Sequence, residues 1–201
     1  MQPSSAPSRL IESRPALSYA KLSDLDLVTK ARSGDKRALD TLVERHAPRV
    51  QKLAAQLVED FEEARDAAQE SLVKLCTRLR QFRGESQFAT WLHRLVVNTC
   101  RDRIARQRVR RTEPLVLEDA PAGDENDPSR LALLEDLRRD LGEALSKLSA
   151  DQRIAVVLRD SFGLSYEEIA RVARMPVGTA KCYVHRARAR LRARLEEHAT
   201  A

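Results

Sequence analysis

Asp66, Gln69 and Glu70 stand at three- and four-residue steps, so a helix would carry two carboxylates and an amide on one face. Paired carboxylates can run acid–base chemistry or hold a divalent cation. Here no His or Cys joins them at ligand spacing, and the chain has neither a glycine-rich phosphate loop nor a nucleophile elbow. The face reads better as a polar surface on which another protein docks; a merely solvated face is the alternative. Cys76, Cys100 and Cys182 are widely spaced, which fits reduced thiols in a cytoplasmic protein and indicates neither a disulfide framework nor a zinc site. The expectation is a chain with no catalytic residue, no metal and no cofactor.

A second group of residues is basic. Leu164-Ser165-Tyr166-Glu167-Glu168-Ile169-Ala170 is followed, after a short break, by Pro176-Val177-Gly178-Thr179-Ala180-Lys181-Cys182-Tyr183-Val184-His185-Arg186-Ala187-Arg188. Ser165 and Glu168 have capping-box spacing, in which hydroxyl and carboxylate each take an orphan backbone N–H. Pro176 suits the opening of the second helix, where a missing N–H costs little. Val184, Ala187, Leu191 and Leu195 recur at helical steps and should face a core. That leaves Lys181, His185 and Arg186 outside, the layout of a helix-turn-helix whose second helix enters a DNA major groove. A solvated basic face on an ordinary helical hairpin is the plainer alternative.

A third group lies between them. Arg101, Arg103, Arg106, Arg108, Arg110 and Arg111 spread around a helix that begins near Trp91, and they project where a phosphate backbone can lie. Phe82, in the loop signal at 82–86, and Asn98 complete the set. An aromatic, an amide and arginines are the side chains that hold unstacked bases. On residue type alone, Phe82 serves equally as a core plug or a base wedge.

The elements that position these groups read as helices throughout. Leu25, Val28 and Ala31 form a short stripe that stops at Ser33-Gly34-Asp35. Ala38, Leu39, Leu42, Val43 and His46 continue it, then Val50, Leu53, Ala54, Leu57 and Val58, then Ala64, Ala67, Ala68, Leu72, Leu75, Cys76 and Leu79. No alternating strand pattern competes. Phe88, Trp91, Leu92, Leu95, Val96 and Ile104 mark one last long helix. Aromatics make up 4% and charged residues 33% of the 201, which favours Leu/Ala/Val helices over β-rich folds. The net charge of +6 suits a polyanionic partner.

From Thr112 to Ser129 the chain carries six acidic residues, three prolines and no Lys or Arg, a composition with little to bury. The expected organisation is all-α. A leader spans residues 1–20, with prolines and serines but no apolar signal core. A helical domain follows at 21–111, an acidic linker at 112–129, and a helix-turn-helix domain at 130–201. No apolar run is long enough to span a bilayer, so no membrane insertion is expected.

In series and spacing, these segments resemble the extracytoplasmic-function group of the sigma-70 family, the initiation factors of bacterial RNA polymerase. Asp66-x-x-Gln69-Glu70 is similar to the core motif of region two. Phe82-Arg83-Gly84-Glu85-Ser86-x-Phe88-x-Thr90-Trp91-Leu92 with Asn98 resembles the promoter-melting part, and Ser165 through Arg188 resembles region four. The resemblance implies that Asp66, Gln69 and Glu70 bind the clamp helices of the largest subunit of core RNA polymerase. It implies that Phe82 and Asn98, with Arg101, Arg103 and Arg106, meet and melt the minus-ten element of promoter DNA. Thr179, Lys181, Cys182, His185 and Arg186 then face the minus-thirty-five element, and Trp91 belongs to the core.

An alternative sigma factor that answers a stress or another signal is implied, with an anti-sigma factor as a possible partner. The chain departs from the family's usual residues at Ala180, Cys182 and Tyr183, where valine, serine and arginine are common. A thiol is a poorer hydrogen-bond donor than a hydroxyl. The rival is a helix-turn-helix regulator that never touches polymerase; it has no use for the docking face or the melting loop.

Overall fold

The computed structural model describes residues 19–110 and 141–199. The expected linker at 112–129 and most of the expected leader lie outside the described residues. Every regular element described is helical, as the periodicity predicts.

In the first module a 3-10 turn at Tyr19–Lys21 leads into α1 (Asp24–Arg32), α2 (Lys36–Leu57), α3 (Phe61–Arg78) and α4 (Phe88–Arg110). Short polar side chains start three of these helices. Ser23 accepts from the Asp26 N–H, Asp35 from Ala38 and Asp60 from Glu63, each filling a donor the first turn leaves empty. Pro48 lies inside α2 without ending it; it removes one hydrogen bond from a helix held by its buried face. Tyr19 and Ala20, placed in the leader by composition, belong to this module: the Tyr19 hydroxyl donates to Asp35 Oδ2 at 2.9 Å.

Among the described residues the second module opens with a helical run at 141–146, here α5. It continues with α6 (Ala150–Asp160), α7 (Tyr166–Ala173) and α8 (Val177–Ala199). Ser149 with Gln152 and Ser165 with Glu168 both form complete capping boxes. The second of these is the pair anticipated from spacing.

Leu42, Leu53, Leu57, Leu75, Leu92 and Val96 fill the first core; Ile154, Leu158, Ile169, Val184 and Ala187 fill the second. Each of the Leu, Ile and Val side chains contributes roughly 1.5–3 kcal/mol on burial. One detail of α1 differs from the expected stripe. Leu25 is 58% exposed, while Leu27 is fully buried beside Val28. Positions 25 and 27 are two residues, or about 200°, apart on a helix, so only one of them can face inward.

The two modules pack on each other, α4 against α7 and α2 against α6. Thr90 of α4 donates to Glu168 Oε1 at 3.2 Å. Arg49 of α2 donates through Nε to His93 Nε2 at 3.0 Å, reaches the Phe162 carbonyl through Nη2 at 3.3 Å, and lies over the Phe162 ring. The His93 ring meets Phe162 edge-on at 5.3 Å.

His93 therefore sits neutral in this seam. Burial, and then the Arg49 charge, push its pKa down to about 4. In the unfolded chain the ring titrates near its ordinary value of about 6.5. Between these values only the unfolded state binds the proton, so stability falls as pH drops. At pH 5 the loss from this residue should be about 2 kcal/mol. Urea denaturation across pH 7.5 to 4.5 measures it, and His93→Gln should flatten the slope. The residual slope belongs to His46, whose pKa burial also lowers despite its bond to Asp24, and at the acid end to Glu70, Glu168 and Asp35, whose carboxyls are held below their ordinary values.

Candidate nucleic-acid and protein interfaces

Helix α3 presents Asp66 and Gln69 to solvent, as the three- and four-residue steps require. Glu70 differs from its two companions. It is half-buried, bound to Lys74 at 2.7 Å and to Arg103 at 3.2 Å. The Lys74 hydrogen bond, then the charges of Lys74 and Arg103, hold its pKa below the ordinary glutamate value. Exposed Val73 continues the face one turn beyond Gln69, and Phe61 at the head of α3 is 54% exposed. Phe61 and Leu72 border an apolar groove beside Gln69. Sequence periodicity gave no sign of either exposed apolar residue, since both types normally count toward a core.

Arg103, expected on the nucleic-acid side, is committed to α3 in this structure. Its guanidinium reaches across from α4 to Glu63 at 2.7 Å, Asp66 at 3.2 Å and Glu70 at 3.2 Å. Burial opposes its charge, but these carboxylates outweigh burial and raise its pKa. Arg103 thus orders the α3 face, because one guanidinium fork satisfies several carboxylates where a phosphate would find it occupied.

Phe82 faces the core in this structure. It is 2% exposed and packs at 5.5 Å on Phe88 and 5.6 Å on Trp91. His46 closes the cluster by meeting Phe88 at 5.1 Å. In this structure the ring plugs the core and offers no open pocket to a base. The loop signal at 82–86 is real, with Gly84 at φ 77°, and the loop folds its aromatic inward because the rings of Phe82, Phe88 and Trp91 leave water together. Trp91 is half-buried against the same core, as expected.

Asn98 is half-buried and Arg106 exposed on α4. Between them, Arg101 turns toward the second module. Its Nη1 donates to the Ala173 carbonyl at 2.8 Å and its Nη2 to Asp151 at 2.6 Å. In this arrangement Arg101 caps the last turn of α7. The side chains of Arg108 and Arg110, and the whole of Arg111, lie outside the described residues.

Helix α8 sorts its cations. Arg188 pairs with Asp160, and Arg190 donates to Gln152 Oε1 at 2.9 Å, fastening α8 to α6. Lys181, Cys182, His185 and Arg186 are exposed, with Thr179 half-buried at their head. Val184 and Ala187 are buried and Leu191 is half-buried; the Leu195 side chain lies outside the described residues. Lys181 Nζ sits 5.7 Å from the Tyr166 ring. Of the thiols, Cys100 is buried and pushed up to about 12 by that burial, so it is inert.

This geometry defines a class: a two-module, all-helical protein whose second module carries a helix-turn-helix and whose first carries a separate polar face on α3. Residues 42–110 match the family model described as Sigma-70 region 2, and residues 138–191 match Sigma-70, region 4. The RNA polymerase sigma-H factor of Pseudomonas aeruginosa is 38% identical over 82% of this chain and 90% of its own length. The ECF RNA polymerase sigma-E factor of Escherichia coli K12 is 35% identical over 84% of this chain and 92% of its own.

Among solved structures, CnrH in complex with the cytosolic domain of CnrY superposes with a TM-score of 0.64 at 26% identity, covering 87% of this chain and 97% of that one. The sigma factor RpoE of Bartonella quintana, in complex with the anti-sigma factor NepR, gives 0.62 at 27% identity over 78% and 96%. The chain belongs to the extracytoplasmic-function group of the sigma-70 family of RNA polymerase sigma factors. It is an initiation factor that works by binding core polymerase, and it is not an enzyme. Among the described residues no helix is long and apolar enough to cross a membrane.

Proposed function

We propose that Asp66 and Gln69 of α3, on the surface ordered by Glu70 and Arg103, dock the clamp helices of the polymerase largest subunit. Asn98 and Arg106 of α4 meet the minus-ten element. Thr179, Lys181, Cys182, His185 and Arg186 of α8 read the minus-thirty-five element in duplex form. The protein does this in the cytoplasm, where polymerase and chromosome are. The observation that carries the reading is the division of cations on α8: Arg188 and Arg190 are tied to α6, and Lys181, His185 and Arg186 remain exposed with no ion pair among the described residues. Each good base contact is worth about 1–3 kcal/mol of discrimination. Joining two weak sites on one chain raises the effective concentration of the second. The anti-sigma complex named for the RpoE neighbour supports a protein inhibitor as a further partner of this chain.

Arg101 has two claimants. One guanidinium cannot hold Asp151 and the Ala173 carbonyl while neutralising a phosphate, so its use on minus-ten DNA requires those two bonds to break.

Run-off transcription with core polymerase, with and without the protein, on a pool of promoter fragments tests the function and recovers the target sequence. The double variant Asp66→Ala, Gln69→Ala should lower capture of core polymerase by about tenfold or more. Wild-type capture by that variant would remove the docking role of α3.

A further inference from the structure

Arg174 is the one non-glycine residue with positive φ among those described, at φ 53° and ψ 53°. It closes α7 three residues before α8 opens, in the corner between the two helices of the helix-turn-helix. Its N–H satisfies the Ala170 carbonyl. Glycine fills such left-handed closing positions at little cost, and an L side chain strains there. Each of the three other positive-φ positions described is a glycine: Gly34, Gly84 and Gly163. The chain thus uses glycine where the backbone alone decides, and at the corner it keeps an arginine. A sparsely populated conformation retained at a binding element points to a task for the side chain.

A helix C-terminus attracts cations, so the simplest task is to serve the α7 dipole. That position is already filled: the carbonyl of Ala173, the last residue of α7, takes Arg101 at 2.8 Å. Arg174 itself is exposed, and among the described residues its guanidinium has no hydrogen-bond or ion-pair partner. Tyr183 adds weight, because α8 carries there an aromatic half-buried against the core and no cation.

We infer that Arg174 is a phosphate-binding residue of the second module, gripping the DNA backbone beside the major groove that α8 enters. It supplies charge from the corner that α8 itself lacks at Tyr183. The inference rests on the proposed role of α8 in reading duplex DNA. A phosphate contact of this kind positions the helix without reading sequence.

The test uses holoenzyme reconstituted from core polymerase and the full-length chain, on a promoter fragment recovered from the run-off pool. Phosphate-ethylation interference should reveal a backbone position near the upstream element whose ethylation weakens wild-type binding. It should cease to matter in Arg174→Gly and Arg174→Ala and matter again in Arg174→Lys. Affinity should fall about two- to fivefold in the Gly and Ala variants. Thermal denaturation of the free chain separates strain from charge. Arg174→Gly should melt about 2–4 °C higher through relief of the left-handed strain, while Arg174→Ala should not. Arg186→Ala is the control for α8. If it weakens binding while all three Arg174 variants keep the wild-type interference pattern, the phosphate role is overturned and α8 still reads duplex. If neither Arg186→Ala nor the Arg174 variants change binding, the role of α8 falls and the inference with it. A lower melting temperature for Arg174→Gly would overturn the strain argument.

Discussion

Phe82→Ala should remove about 3–5 kcal/mol from the first helical module, the cost of deleting a fully buried aromatic and leaving a cavity. The ring supports Phe88 and Trp91 directly and, through Phe88, His46. The loss should appear as a melting temperature lowered by roughly 10 °C. Its functional consequences should follow from unfolding. Closed-complex binding and strand opening should weaken together at 37 °C and recover together on cooling, and Phe82→Leu should restore most of both. Differential scanning fluorimetry beside a fluorescent strand-opening assay checks this. A Phe82→Ala protein with wild-type melting temperature and a selective defect in strand opening would return the ring to a base-contacting role. The prediction reverses the one that family likeness suggests. An aromatic in a loop between two helices is equally suited to both jobs, and its burial here is the ground for expecting a packing role.

The same distinction separates what the sequence discloses from what it conceals. Helical periodicity, the Ser165–Glu168 box and the outward placement of Lys181, His185 and Arg186 depend on spacing within one element, and each was legible. Local contacts of this kind repeat at i, i+3 and i+4 and leave a trace in composition. Arg103 and Arg101 were legible as cations but not as partners. Their carboxylates lie on α3 and at the start of α6, distant in sequence, and nothing in the helix that carries them encodes that meeting.

Glu70 was likewise grouped with Asp66 and Gln69 by spacing, although Lys74 and Arg103 draw it inward. Leu25 shows the limit even within one helix, since Leu25 and Leu27 both fit an apolar stripe and only packing chooses between them. The corner at Arg174 was opaque for a related reason. The eye looks for glycine at a left-handed turn, and an arginine there gives no warning. Least legible of all was the packing of one module on the other, because the segment 112–129 reads as a tether permitting any arrangement.

Arg153 carries the second large effect. It is 6% exposed and makes four hydrogen bonds: Nε to the Leu145 carbonyl at 2.9 Å, Nη1 to the Leu57 carbonyl at 3.0 Å, and Nη2 to the Ser146 carbonyl at 2.9 Å and Glu59 at 2.6 Å. Leu57 ends α2 and Glu59 lies just beyond it in the first module; Leu145 and Ser146 belong to α5 in the second. One buried guanidinium therefore rivets the two modules and satisfies three carbonyls that burial would otherwise strand. A buried charge is costly unless its donors are all used, which is why the planar fork of arginine suits the site and an ammonium does not.

Arg153→Met keeps the volume and removes the donors. It should destabilise the chain by about 3–5 kcal/mol, the range for breaking a buried charged network. Arg153→Lys should recover less than half of that. Loss of the rivet should also divide unfolding in urea into two transitions where the wild type shows one, and raise the radius of gyration measured by small-angle scattering. Arg101→Ala acts on the same seam through a more exposed pair, and exposed pairs are worth only about 0–1 kcal/mol. It should therefore leave unfolding as a single transition. If Arg153→Met leaves both the urea midpoint and the radius of gyration unchanged, apolar packing of α2 on α6 and α4 on α7 holds the modules together, and the four hydrogen bonds serve only to make an inherited buried charge tolerable.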